Sequence, residues 1–162
     1  MPTPGRLSGI LLPLFSLRSE TDFGIGDFGA LPGLFDWMKE ARQRLLMLLP
    51  LLPTAPGDPS PYATRSAVGL NPNFIDLSVL PEWQALGGEE ALTEDERAGL
   101  RTVRGAKHIH YPTVFALKSR AFELAFAHFE RGEDAARQQA FDAWQAAENG
   151  WLTDYALFCA LS

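Results

Sequence analysis

The sequence predicts an α/β fold built on parallel strands, and three features carry that expectation. Two short, uninterrupted apolar runs, SGILLPLF (8–15) and LLMLLPL (45–51), have the length and composition of strands buried on both faces. Between them lies one amphipathic stretch. Leu31, Leu34, Phe35 and Met38 fall on one side at helical spacing, and Lys39, Glu40 and Arg42 turn towards water. A strand, a helix and a strand in that order form a βαβ unit, which calls for parallel pairing and a right-handed crossover.

The totals narrow the function classes. A chain of 162 residues with 46% hydrophobic and 21% charged residues can bury a real core and is not a disordered polymer. The net charge of −6 and the absence of a basic stripe argue against nucleic acid as a partner and suit a neutral substrate. A single cysteine, Cys159, permits no internal disulfide and fits a reducing compartment. The start, MPTPGRLSGILLPLF, lacks the order of a signal peptide, and its apolar run is far short of a membrane span. A cytoplasmic protein with no membrane partner is expected.

The elements follow in order. SLRSETDFGIGD (16–27) is polar and glycine-bearing and reads as a loop. Asp27 can cap a helix from about Phe28 to Arg42, with Pro32 in the tolerant first turn. Residues 52–72 leave the carboxyl end of the second strand, the edge where parallel α/β folds bind ligands. NFIDL (73–77) reads as a short strand or extended segment. Thr93 and Glu96 form a capping box ahead of a helix. Residues 108–132 give a long helix with Pro112 at its start and an apolar stripe of Phe115, Phe122, Phe126 and Phe129, read as core. A further helix over 133–150 ends at Asn149-Gly150, and 151–162 begins another. That last segment is apolar to the end and has no stop signal. With only two strands read from the sequence, it leads us to expect that the chain is part of something larger and that its exposed end would associate.

The loop GDPSPYATRSAVGLNP (57–72) holds the most suggestive chemistry. Prolines 56, 59 and 61 restrict the backbone ahead of Tyr62, so its ring is held at little entropic cost. A tyrosine there can stack on a sugar face and hydrogen-bond a hydroxyl, with Asp58, Ser60 and Asn71 adding polar contacts. The residues alone leave a second reading open, a rigid connector whose tyrosine fills a gap. GIGDFG (24–29) matches a dinucleotide pattern formally, but its glycines lie well past the strand and Asp27 would repel a phosphate at the helix start. His108 and His110 alternate as on one strand face, yet no third ligand lies nearby, so a solvated or packed pair is expected. Cys159 reads as core packing, not as a nucleophile. No carboxylate spacing marks an acid/base pair.

Taken together, SGILLPLFSL with GIGDFG, then LLPLLPT, then SPYATRSAVGLNPNFIDL resemble the beginning of the 4-α-glucanotransferases, the amylomaltases or disproportionating enzymes of glycoside hydrolase family 77. HYPTVFALKSRAFELAFAHF and WLTDYALFCALS resemble the helical insertion of that family, so the likeness runs from about residue 6 to 162. The resemblance implies part of a (β/α)8 barrel, residues 1–79, followed by a helical insertion subdomain over 80–150. It implies transfer of a piece of an α-1,4-glucan to the 4-hydroxyl of another glucan by a retaining mechanism. The nucleophile and acid/base carboxylates of that mechanism have no counterpart in this chain, so the chain alone is expected to be inactive and to need the missing remainder of the barrel. Tyr62 and Ser60 would line the donor-sugar site, while Asp58 and Asn71 would hold the loop's shape; no cofactor or metal is implied. Arg42, Leu46 and Met47 stand where the family commonly has Gly, Trp and Gln, which suggests a different connection into the second strand and an altered inner barrel. The competing readings are a non-catalytic glucan-binding protein and a helical interaction module.

Overall fold

The computed structural model describes residues 6–55, 58–132 and 134–161. The expectations that touch residues 1–5, Pro56, Gly57, Glu133 and Ser162 lie outside the described residues.

Strand β1, Gly9–Leu12, pairs in parallel with β2, Leu45–Leu48, with Gly9 opposite Leu45 and Leu12 opposite Leu48. Helix α1, Leu31–Glu40, connects them, as the βαβ pattern requires. Asp27 caps the 3-10 turn Phe28–Ala30 that leads into α1, its carboxylate accepting from the Gly29 amide at 3.0 Å. The helix is shorter than expected because its first three residues wind as that turn. Of its apolar side only Met38 is buried, and Phe35 is half exposed.

Helix α1 closes on a residue that the sequence marks as a departure. Arg42 adopts φ 56°, the left-handed conformation usually given to glycine. Its amide donates to the Lys39 carbonyl at 3.1 Å, and the Gln43 amide donates to the Met38 carbonyl at 2.8 Å. This is the two-bond cap that ends a helix in a left-handed residue. The helix thus ends in the left-handed turn usually given to glycine with Arg42 in that place, and the arginine bears the conformational cost.

The strands are not buried on both faces. Leu11, Leu45 and Met47 share one face and are 61%, 46% and 52% exposed, while Ile10, Leu12, Leu46 and Leu48 on the other face are half-buried. Among the described residues no layer lies on the first face, and two strands cannot cover it themselves. The core lies elsewhere. It gathers Leu14, Phe23 and Ile25 from the segment after β1, Phe74 and Leu77 from the segment after the loop, and the inner faces of the helices. The polar-looking stretch 16–27 thus carries core side chains, and residues 22–27 are all buried.

The helical part comprises α2, Pro81–Ala85, α3, Glu94–Gly105, α4, Tyr111–Phe129, and α5, Ala135–Leu161. The capping box forms as read: Glu96 accepts from the Thr93 amide at 2.8 Å, and the Thr93 hydroxyl accepts from the Glu96 amide at 3.2 Å. The Thr93 amide holds the Glu96 carboxyl below its ordinary range. NFIDL forms 3-10 turns, Pro72–Phe74 and Leu77–Val79, started by Asn71 and Asp76, in place of a strand. Residues 108 and 110 are not in a strand; His110 precedes α4 and pairs its Nδ1 with the Thr113 hydroxyl at 2.7 Å.

Three further expectations are corrected. The buried face of α4 is Val114, Leu117, Lys118, Ala121 and Ala125; of the four phenylalanines only Phe122 packs against the core, and it is half-buried. Phe115 and Phe126 are 40% and 51% exposed, and Phe129 packs edge-on against Phe141 of α5 with centroids 5.2 Å apart. Helix α5 runs unbroken through Asn149-Gly150. A glycine costs a helix interior about 1 kcal/mol, and here it is bracketed by side-chain bonds from Trp151 to Glu148 at 2.6 Å and from Thr153 to Asn149 at 2.8 Å. Cys159 is exposed on α5, not packed in a core. Among the described residues no helix is long and apolar enough to cross a membrane.

Replacing Arg42 by glycine is expected to raise stability by about 1 kcal/mol, because the left-handed turn then carries no Cβ penalty. Urea unfolding of the two chains measures it; an unchanged or lower midpoint would show that the arginine side chain contributes more than its conformation costs.

Candidate functional site

The segment that follows β2 folds as a flap. Its outgoing arm, 51–54, and its returning arm, 64–71, are tied by an antiparallel bridge between Thr54 and Thr64. The Arg65 amide donates to the Pro53 carbonyl at 2.9 Å, and the Asn71 amide donates to the Leu51 carbonyl at 2.8 Å. The Thr64 hydroxyl bonds the carbonyls of Ser66 and Pro53 at 2.6 and 3.2 Å. A proline-rich sequence cannot form a long ladder, because each proline lacks a donor. The flap is therefore closed by a few backbone bonds and by side chains that mimic turns.

The four residues singled out by sequence occupy different parts of this flap. The Asp58 carboxylate accepts from the Ser60 amide at 2.8 Å, and the Thr54 hydroxyl donates to the Asp58 carbonyl at 3.2 Å. The Ser60 carbonyl accepts from the Ala63 amide at 3.2 Å, which brings Asp58, Ser60 and Tyr62 into one tip. Tyr62 stands 70% exposed at that tip. Asn71 is not with them; it lies at the base, where its side chain accepts from the Asn73 amide at 3.0 Å and caps the turn Pro72–Phe74.

Behind the flap is a cavity of about 670 Å³ between the flap, α4 and the carboxyl-terminal turns of α5. Asp58 and Asn71 are among its walls, with Phe115, Phe122 and Phe126 of α4 opposite. Tyr62 and Ser60 are not among them. The expected apolar stripe of α4 thus faces this cavity and α5.

Two buried charge clusters hold the ground beneath the site, and sequence reading missed both. Lys118, on the inner face of α4, is 1% exposed. Its ammonium donates to the carbonyls of Asn73 and Ile75 at 2.6 and 2.7 Å and meets the Asp27 carboxylate at 3.3 Å. Burial pushes the Asp27 carboxyl up and the Lys118 ammonium down from their ordinary values, and their mutual attraction acts against both shifts. Asp22, also 1% exposed, accepts from Arg18 at 2.7 and 3.0 Å and from the amides of Ser19 and Gly24, both at 2.8 Å. Arg104 of α3 closes that cluster, donating to the Asp22 carbonyl at 2.8 Å and pairing with Glu89 at 2.7 Å. One signal was available for Lys118: Val114, Leu117, Lys118, Ala121 and Ala125 sit at core spacing, so the lysine falls on an apolar face.

The glycines of GIGDFG are accounted for by packing. Gly24 has φ 87°, and a Cβ there would lie 2.7 Å from Val103 Cγ2 and 3.2 Å from Val114 Cγ2. Gly26 lies against the carbonyls of Leu14 and Leu17, and Gly29 against the Asp76 carboxylate. Among the described residues no three of His, Cys, Asp and Glu come together as a metal set.

A parallel βαβ unit whose second strand opens into an ordered flap, backed by helices, places this chain among α/β proteins that carry functional loops at the carboxyl ends of strands. The comparisons make the class specific. The model of the 4-alpha-glucanotransferase family matches residues 12–162, and the chain belongs to that family. It is 36% identical over 159 residues to a 4-alpha-glucanotransferase of Synechocystis, covering 96% of this chain and 29% of the relative. It is 36% identical over 157 residues to one of Thermus thermophilus, with the same two coverages. Among solved structures, amylomaltase from Corynebacterium glutamicum superposes with a TM-score of 0.79 at 27% identity, covering 95% of this chain and 22% of that one. Amylomaltase from Streptococcus agalactiae, in complex with acarbose, gives 0.71 at 31% identity, covering 96% and 29%. The chain thus spans less than a third of the length of these relatives.

Gly24→Ala is expected to destabilise the chain by about 2–4 kcal/mol, since the methyl must displace Val103 and Val114 from a left-handed backbone position. Thermal unfolding measures it; a loss under about 0.5 kcal/mol would mean that the packing at Gly24 gives way freely.

Proposed function

We propose that this chain supplies the opening βαβ unit and the glucan flap of a 4-α-glucanotransferase, with residues 1–79 in the barrel and the helices from residue 80 onward, the unbroken α5 included, as its helical insertion. The observation that carries the reading is that the Tyr62 flap leaves the carboxyl end of β2 in a chain of this family. The reaction moves a segment of an α-1,4-glucan to the 4-hydroxyl of another glucan. A carboxylate attacks the anomeric carbon while a carboxylic acid protonates the departing oxygen; the acid, now a base, then takes the proton of the incoming hydroxyl. Retaining pairs stand about 5–5.5 Å apart, and in this reading both carboxylates come from parts of the barrel outside this chain.

The role of the flap is recognition. Tyr62 offers an aromatic face and a hydroxyl to the donor sugar, at little ordering cost because its neighbours are prolines. Ser60 adds a hydroxyl beside it. Asp58 and Asn71 serve the shape of the flap, a reading supported by their bonds to the Ser60 and Asn73 amides. The bound acarbose in the Streptococcus agalactiae relative supports a sugar-type ligand here. Glycosyl transfer of this kind needs no cofactor or metal, and the substrate is made and used in the cytoplasm in this reading.

The test has two arms. This chain alone is expected to give no glucose or maltopentaose from maltotriose, and to bind acarbose or maltotriose weakly and saturably by calorimetry, with the affinity reduced on the order of tenfold by Tyr62→Ala. Glucan transfer by the isolated chain would overturn the assignment of the carboxylates. Binding that Tyr62→Ala leaves unchanged would overturn the role of the flap.

A further inference from the structure

We propose that the carboxyl-terminal turns of α5 position the glucan flap, with Tyr155 and Phe158 acting as positioning residues that fix its returning arm and hence the Tyr62 tip. This deepens, and rests on, the reading of the flap as a glucan-recognition element.

The flap has few bonds of its own. Among the described residues its arms are tied to each other by the Thr54–Thr64 bridge and by bonds from Arg65, Thr64 and Asn71, and its prolines remove donors that could add more. An arm so weakly tied needs an outside support to hold one orientation. That support comes from α5 at two points on the same arm. Gly69 is buried, and a Cβ built on it would run into the Tyr155 hydroxyl and lie 2.6 Å from ring atom Cζ. Four residues earlier, the Arg65 guanidinium sits over the Phe158 ring, 5.4 Å from its centroid. Tyr155 and Phe158 are three apart and so share one face of α5. The spacings match: one helix face meets one extended arm at both contacts.

The contacts differ in kind, and both are directional. At Gly69 the seam is steric; the backbone approaches the tyrosine so closely that a Cβ there would have to push the Tyr155 ring aside. At Arg65 it is electrostatic, a cation over an aromatic face at the exposed surface. Tyr155 itself is braced along the helix by the Trp151 ring, with centroids 5.9 Å apart. Burial and the neighbouring Cys159 thiol push the Tyr155 hydroxyl up from its ordinary value. The flap and the last turns of α5 therefore move as one unit, and the helical part of the chain sets where the aromatic tip stands.

Hydrogen exchange read at individual amides tests this. In Tyr155→Ala and in Gly69→Ala, the flap amides of Ala63, Arg65 and Asn71 should exchange faster, on the order of tenfold, while the β1–β2 and α3–α4 amides keep their rates. Tyr155→Phe keeps the ring and should restore the flap rates, which a general loss of helix stability would not do. Maltotriose affinity should fall with the alanine variants and recover with Tyr155→Phe. Unchanged flap exchange in both alanine variants would overturn the proposal, as would acceleration spread evenly over all amides. If the unmodified chain binds no maltotriose while the exchange pattern appears as expected, the glucan reading fails and the positioning of the flap by α5 stands.

Discussion

The ammonium of Lys118 lies inside the molecule, bonded to two backbone carbonyls and a carboxylate from two separate stretches of chain. A buried charge is costly, and it survives only where its partners are complete. Here they are: Asp27 comes from the segment that starts α1, and Asn73 and Ile75 come from the segment that leaves the flap. One side chain on α4 therefore ties the start of the βαβ helix to the end of the flap. The packing around it agrees. Gly24 lets that segment touch Val103 and Val114, Arg104 reaches back to Asp22, and Phe23 meets Trp83 edge-on at 6.1 Å.

This arrangement explains how a chain with two short, half-exposed strands still has a defined core. The sheet contributes little; the helices and the segment 14–27 contribute most of the buried apolar surface. The flap stands between these parts. Its base is anchored through Asn71 and the Lys118 contacts just beyond it, and its returning arm rests on α5. In the glucanotransferase reading, recognition is thus placed by helices while the reacting carboxylates belong to the barrel.

Local rules were legible wherever adjacent residues decide the outcome. Thr93 with Glu96, Pro112 and Asp27 follow from short-range chemistry, the parallel pairing follows from the strand–helix–strand order, and the motifs spread over the chain pointed to the family. Long-range choices were hidden. The phenylalanines of α4 outweigh its small residues in hydrophobicity, so the inner face was assigned to them, whereas Val114, Leu117, Ala121 and Ala125 are buried and Phe122 only partly so. Asn149-Gly150 has the form of a helix stop, but neighbouring side chains carry α5 across it. Arg42 takes a glycine's conformation, which its residue type does not announce. Of the candidate residues, Asp58, Ser60 and Tyr62 lie close in sequence and meet at the flap tip, Asn71 lies at its base, and the contacts of Gly69, Tyr155 and Lys118 depend on distant segments.

The most direct test of this account is the unfolding free energy of Lys118→Met, measured by urea titration. Methionine fills nearly the same space but donates to nothing, so Asp27 keeps only the Gly29 amide at Oδ1, while its Oδ2 and the carbonyls of Asn73 and Ile75 lose the ammonium. The account predicts a loss of about 3 kcal/mol or more. A variant as stable as the parent, or more so, would show that apolar packing holds these segments together and that the buried ammonium is not what joins the flap to the fold.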